Sequence, residues 1–221
     1  MRFLLEPLLD QADLHDLWRE LGDPASVWVD GASTAGWYAR SIKHNQQLDP
    51  AGDLHQRLAA RLKERLWADP LLQAAAFPRR IHGLLFSRCR TGQGYGRHLD
   101  NALMRGGRSD LAFTLFLSEP HDYQGGGLVV ESAAGEESFR LPAGHALVYP
   151  ATLIHRVDPV IAGERVVAVG WIESRIRHAD QRELLFELDT ARRALYQRHG
   201  KDEIFDLISR SHSNLLRRWD S

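Results

Sequence analysis

The sequence predicts a mainly β fold with flanking helices, a sandwich or barrel set between a helical front and a helical tail. Three observations carry this. Between residues 81 and 172 the apolar runs are short, rich in β-branched or aromatic residues, and separated by Gly- and Pro-rich turns, which is the signature of several short strands. Before that stretch, apolar residues recur every three or four positions, as on amphipathic helices. After it the helical period returns. The expected organisation is an N-terminal helical segment over 1–78 packed on the core, a β domain over 79–176 and a C-terminal helical extension over 177–221.

Each element has its own signal. Asp10 precedes Leu14, Trp18 and Leu21 on one face, so a short helix with Asp10 as N-cap is expected. Asp53 opens a second helix, in which Leu54, Leu58, Leu62 and Leu66 recur every four residues among charged neighbours. Asp69-Pro70 marks its end, because the residue before proline is pushed out of the α region. Strands are expected at 81–86, 111–117, 128–130, 146–149 and 166–172, with turns at 92–96, 125–127 and 142–144. From about Arg177, Leu184, Leu185, Leu188, Ala191 and Leu195 form one helical stripe. Ile204, Leu207, Ile208, Leu215 and Leu216 form another, interrupted near 209–213.

Composition removes several classes of function. The 221 residues carry 28 Lys+Arg against 29 Asp+Glu, a net charge of −1. Nucleic acid is not expected as a partner, since counterion release needs a clear basic excess. The pairs Arg79-Arg80, Arg192-Arg193 and Arg217-Arg218 are scattered and read as solvated faces. The one cysteine, Cys89, cannot form an intrachain disulfide, which fits a reducing compartment. Glu6 and Pro7 interrupt the first apolar run too early for a signal-peptide core. No stretch approaches the ~20 apolar residues of a membrane span. The expectation is a soluble cytoplasmic protein with no membrane partner, its oligomeric state left open.

The chemistry concentrates on a few side chains. With 11 histidines and 29 acidic residues, chance alone supplies about 1.4 His-x-Asp/Glu triplets. The chain has two, at His98-Asp100 and His178-Asp180, so context must choose between them. His178 and Asp180 open a helical pattern, where i and i+2 diverge. His98 and Asp100 follow a Gly-rich turn in the strand region, where extended backbone aims both into one cavity. His155, just past Leu147-Val148-Tyr149-Pro150, is the expected third ligand. Two histidines and a carboxylate on one face of a metal suit a non-haem Fe(II) oxygenase, and zinc hydrolases can use the same set. Arg165 discriminates further. Strand parity puts Arg165, Val167, Val169 and Trp171 on one face. An arginine among such neighbours needs a buried anion, and its planar fork suits a carboxylate. A dicarboxylate cosubstrate such as 2-oxoglutarate fits.

The segment from Gly92 through His98, Asp100 and Asn101 to Ala102 resembles the iron-binding segment of bacterial PKHD-type hydroxylases, which are Fe(II)/2-oxoglutarate dioxygenases related to prolyl and lysyl hydroxylases. The resemblance continues through 110–118, 123–128, 141–144, Tyr149-Pro150, His155-Arg156-Val157 and 170–174. It reaches the ends at Thr34-Ala35-Gly36, Asn45-Gln46-Gln47 and 214–219, so it covers nearly the whole chain. It implies a double-stranded β-helix, or jelly roll. It also implies iron held by His98, Asp100 and His155, 2-oxoglutarate bound by Arg165, and hydroxylation of an unidentified substrate by O2 with release of succinate and CO2. A peptidyl prolyl or lysyl side chain or a small molecule is the implied substrate, and L-ascorbate the implied reductant that keeps iron reduced. The sequence departs from the family at Cys89, where tyrosine is usual, at Gly127, often acidic, and at His44, usually asparagine. The Cys89 change falls on the pocket wall near the cosubstrate.

Other readings stand beside these. The same fold can serve as a non-catalytic iron or 2-oxoglutarate sensor. Arg165 can instead form a structural ion pair with Asp158 or Glu164. Cys89 reads as a small buried apolar residue, and Tyr95, Tyr149 and Trp171 as barrel core or pocket wall. Asn45 and Gln47 are candidates for a substrate cleft, with turn and cap roles equally open. Residues 214–219 are expected to dock the tail onto the barrel, over the active site or away from it.

Overall fold

Helix formation at the front follows from caps and apolar spacing. In this computed structural model, which describes residues 2–104 and 106–220, α1 runs over Gln11–Leu21, with the Asp10 carboxylate accepting from Asp13 N at 2.8 Å. It buries Leu14, Leu17 and Leu21. Trp18, expected on that face, is instead 37% exposed, because its indole Nε1 turns to donate to Leu117 O. Helix α2 spans Asp53–Ala68 and buries Leu58, Leu62 and Leu66. Asp69-Pro70 ends it as expected, and the same pair starts another helix, α3 (Pro70–Ala76). Asp69 caps Leu72 N at 2.7 Å and Pro70 occupies the first turn, where no N–H is needed.

Two antiparallel sheets form the jelly-roll core. The larger runs in the order Phe3–Leu5, Ala146–Pro150, Leu111–Phe116, Val160–Ser174, Pro78–Arg90, Gln46–Leu48 and Trp28–Asp30, with Tyr123–Gly125 also pairing Val160–Ser174. The smaller runs Gly135–Phe139, Leu128–Ser132, His155–Val157, Gly94–His98 and Lys43–His44. All five expected strands are present, and those around 81–86 and 166–172 extend much further than their apolar runs. The expected turn at 92–96 is shorter, since Gly94 already begins a strand. The 1–78 segment also departs from a purely helical reading. Phe3–Leu5, Trp28–Asp30, Lys43–His44 and Gln46–Leu48 extend both sheets. They are too short to show an alternation in sequence.

Strand Leu111–Phe116 is buried at all six positions because each of its faces is covered. Leu111, Phe113 and Leu115 join a core with α1 and α2, containing Leu17, Leu58 and Leu62. Ala112 and Phe116 join a second core between the sheets, with Leu128, Val130, Leu147 and Val167. The same parity in Val160–Ser174 sends Val166, Ala168 and Ile172 toward the helices and Val167 between the sheets. Arg165 therefore faces inward.

The tail is two helices, α4 (Ala179–His199) and α5 (Glu203–Trp219), broken at Gly200, which has φ 70°. The polar stretch at 209–213 interrupts the apolar stripe but not α5. The tail is fastened to the barrel by Arg182, whose Nη1 donates to Ile176 O and Arg177 O, and by the Arg175–Asp220 ion pair. No described helix is long and apolar enough to cross a membrane.

Candidate metal centre and pocket

The pairing of two short strands builds the centre. Gly94–His98 runs antiparallel to His155–Val157 in a register that sets His155 opposite His98. Asp100 follows where the first strand has ended. One ligand atom from each of His98, Asp100 and His155 lies within 4.8 Å of the others, and His155 Nε2 is 3.9 Å from Asp100 Oδ1. The three residues the sequence singled out are thus brought together.

The imidazoles are oriented by backbone. His98 Nδ1 is 2.8 Å from Gly96 O, and His155 Nδ1 is 3.1 Å from Leu153 O. A carbonyl only accepts, so each Nδ1 carries a proton and donates it, leaving Nε2 as the ring atom available to a metal. Such an outer hydrogen bond fixes both tautomer and ring direction in metal sites. Tyr95 stacks on His98 at 3.6 Å between ring centroids, and Tyr149 meets His155 edge-on at 5.3 Å. Burial pushes the His98 imidazole down to about 3, and neighbouring His155 adds to this. Burial pushes the Asp100 carboxyl up, an effect that His155 partly offsets. Two backbone-oriented imidazoles and a carboxylate converging within 4.8 Å form a donor set that fits a divalent metal such as Fe(II).

Arg165 belongs to the same cavity, a space of about 660 Å³ between the sheets. It is 2% exposed, and its Nε and Nη2 are buried without an acceptor. Its guanidinium lies over the Phe116 ring at 5.5 Å. Both acids weighed as structural partners are engaged elsewhere, Glu164 with Arg90 at 2.6 Å and Asp158 with Arg156 at 2.8 Å. An unanswered guanidinium in a cavity is an anion receptor. Cys89 is its register partner across the sheet and also lines the cavity. Burial pushes the Cys89 thiol up, while Arg165 and Lys43 pull the other way. Thiolate is therefore disfavoured, in line with a small apolar wall residue.

Tyr95, Tyr149 and Trp171 form cavity wall, as do Asn45 and Gln47. His178 and Asp180 are exposed at the start of α4, away from the cavity, and no residue of α4 or α5 lines it. Sequence reasoning missed Lys43. It is 7% exposed, lines the cavity, donates from Nζ to Thr34 Oγ1 at 2.9 Å and sits over the Tyr95 ring at 5.3 Å. Burial pushes its pKa down to about 8, which leaves it charged at pH 7. A usable signal was present, since residues 43, 45 and 47 are spaced by two and all three reach the cavity.

Comparison with known proteins agrees with this geometry. Residues 84–173 match the 2OG-Fe(II) oxygenase superfamily, and residues 180–220 match the PKHD-type hydroxylase C-terminal domain. A PKHD-type hydroxylase of Synechococcus elongatus is 49% identical over 99% of this chain and 99% of that protein. One of Acaryochloris marina is 54% identical over 87% and 88%. Among solved structures, a Pseudomonas putida prolyl-4-hydroxylase shares the fold with TM-score 0.52 at 21% identity, covering 79% of this chain and 92% of that one. A prolyl hydroxylase from Trichoplax adhaerens does so with TM-score 0.53 at 16% identity, covering 83% and 86%.

Proposed function

We propose, from the premise that this chain belongs to the PKHD-type hydroxylases and is a 2-oxoglutarate–Fe(II) oxygenase, that His98, Asp100 and His155 hold the iron and Arg165 receives the far carboxylate of 2-oxoglutarate. The observation that carries this is the unpaired, buried guanidinium in the cavity that also holds the three ligands. A hydrolase has no use for such a group, and a family of hydroxylases favours catalysis over sensing. Fe(II), when bound, supplies O2 activation coupled to oxidation of the 2-oxo acid, giving succinate, CO2 and a hydroxylated substrate.

The chain's own contribution is placement. Backbone carbonyls of Gly96 and Leu153 hold both imidazoles with Nε2 free. Arg165 fixes one end of the cosubstrate by charge and fork geometry. Val167, Val169 and Trp171 on the same strand face keep water from the site. The β region over 79–176 carries this chemistry, with 1–78 and 177–221 as flanking parts. The substrate we favour is a peptidyl prolyl- or lysyl-like side chain or a small molecule. The Trichoplax adhaerens enzyme was solved with a hypoxia inducible factor peptide fragment, and HygX of Streptomyces hygroscopicus with hygromycin B, so the fold accommodates both kinds. Ascorbate as reductant rests on the family likeness, and a cytoplasmic location on the single buried cysteine.

The test is anaerobic Fe(II) titration of Asp100→Ala and His155→Ala. Each is expected to lose stoichiometric iron while melting as a folded protein, because the ligands line a cavity and none of the three is a member of either apolar core. Stoichiometric iron in either variant would remove that residue from the ligand set.

A further inference from the structure

Three cationic side chains, Arg40, Lys43 and Arg165, line the cavity, and Asp100 is its one carboxylate among the described residues. On the reading proposed above, iron(II), the Asp100 carboxylate, the 2-oxoglutarate dianion and the Arg165 guanidinium cancel in charge. Lys43 is left over. Its one short hydrogen bond goes to a neutral hydroxyl, Thr34 Oγ1, while Cys89, Asp100 and Asp30 act on it only by attraction at longer range. A buried ammonium without a carboxylate is costly, so a partner from outside the chain is the economical explanation.

Position separates this cation from Arg165. Arg165 projects from the long strand Val160–Ser174 of the larger sheet, with Nε and Nη2 sealed from solvent. Lys43 lies on the edge strand of the smaller sheet, paired with Tyr95, whose ring stacks on His98. Its ammonium touches Thr34, an exposed residue of the segment that forms the cavity rim with Tyr38 and exposed Arg40. Arg165 thus occupies the closed end and Lys43 the side from which a substrate enters, next to the metal ligands.

We propose that Lys43 is a substrate-recognition residue whose ammonium receives a carboxylate of the molecule to be hydroxylated, with Thr34 holding the ammonium in place and Arg40 adding positive potential at the mouth. The preferred substrate is then an acidic small molecule, or a peptide that presents a carboxylate close to the oxidised carbon. This inference rests on the iron and 2-oxoglutarate reading of the site.

The experiment uses full-length protein loaded with redox-inert Zn(II) and saturating 2-oxoglutarate. Binding is measured calorimetrically for matched probes: N-acetyl-L-proline and N-acetyl-L-leucine against their primary amides. The acids are expected to bind roughly 10- to 100-fold more tightly than the amides, the range for one charge-assisted hydrogen bond. In Lys43→Met that preference should vanish while 2-oxoglutarate affinity stays unchanged. Acids that bind no better than amides to the wild type overturn the inference, and this arm needs no variant. A loss of 2-oxoglutarate affinity in Lys43→Met would overturn it too, by assigning the lysine to the cosubstrate. Failure of the wild type to bind 2-oxoglutarate at all would instead sink the underlying reading of the site.

Discussion

Arg165 lies between the Phe116 ring and the glycine turn, where a Cβ on Gly126 would come within 3.1 Å of Arg165 Cδ. Gly126 also has φ +63°, so both space and backbone call for glycine there. The guanidinium therefore lies over an aromatic ring beside the glycine turn, and its Nε and Nη2 are left for a ligand to answer. Arg165→Lys keeps the charge but loses the two-pronged bond. A poorly paired carboxylate in such a site should cost about 2–4 kcal/mol, roughly 30- to 1,000-fold in 2-oxoglutarate affinity. Iron binding should persist, because the ligands come from other strands. Following the metal-to-ligand charge-transfer absorption of anaerobic Fe(II) protein during 2-oxoglutarate titration reads both quantities. Unchanged affinity would return Arg165 to a structural role. That His98, Asp100, His155 and Arg165 share one cavity was legible in part from strand parity, which turns Arg165 inward, and in part from chain position, since Asp100 follows just past its strand and His155 lies just past Tyr149-Pro150. Lys43 was missed despite its two-residue spacing from Asn45 and Gln47, because its strand is two residues long and a lone lysine in a charged sequence reads as surface.

At the scale of elements, the second triplet tests the parity argument from the other side. His178 is the N-cap residue of α4 without a capping side-chain bond, and Asp180 lies in its first turn. Replacing both with alanine should leave iron content and turnover nearly unchanged, and a loss like that of Asp100→Ala would show that the wrong triplet had been chosen. Arg182, a turn further on, is buried and gives two hydrogen bonds to the Ile176 and Arg177 carbonyls. Arg182→Met leaves both acceptors unanswered and should cost about 2 kcal/mol of stability, read as a lower denaturation midpoint. Since α4 and α5 do not line the cavity, 2-oxoglutarate affinity should be unaffected. Long periodic elements such as α1, α2 and the central strands were readable in advance. The edge strands and α3 were not, because two to seven residues do not complete a period and their placement depends on the sheets and helices they join.

For the whole molecule, pH couples to folding through histidines that the fold buries as neutral groups. Burial pushes His55 below the usual histidine range, with Leu84 O, Asp49 and Lys63 as its other influences. Burial does the same to His212, which faces Arg192, Asp189 and Arg193. His55 Nε2 is 3.0 Å from Leu84 O and its Nδ1 is buried without a partner, so a second proton would have no acceptor. As pH falls through about 6.5, the unfolded chain takes up protons at these positions while the folded chain does not. The unfolded state then binds more protons, and stability drops with falling pH. Above the unfolded value both states are neutral and the contribution is level. Depressed carboxylates such as Asp189 and Asp220 act in a more acidic window, so between pH 7.5 and 5.5 the histidines set most of the slope, with Lys43, at about 8, adding at the upper end and the raised Asp100 carboxyl opposing it. Urea denaturation of metal-free protein should give a lower midpoint at pH 5.5 than at 7.5. His98, at about 3, adds to the same slope, so the double variant His55→Gln/His212→Gln should reduce the difference without abolishing it. An undiminished slope in that variant would mean that neither buried imidazole resists protonation in the fold.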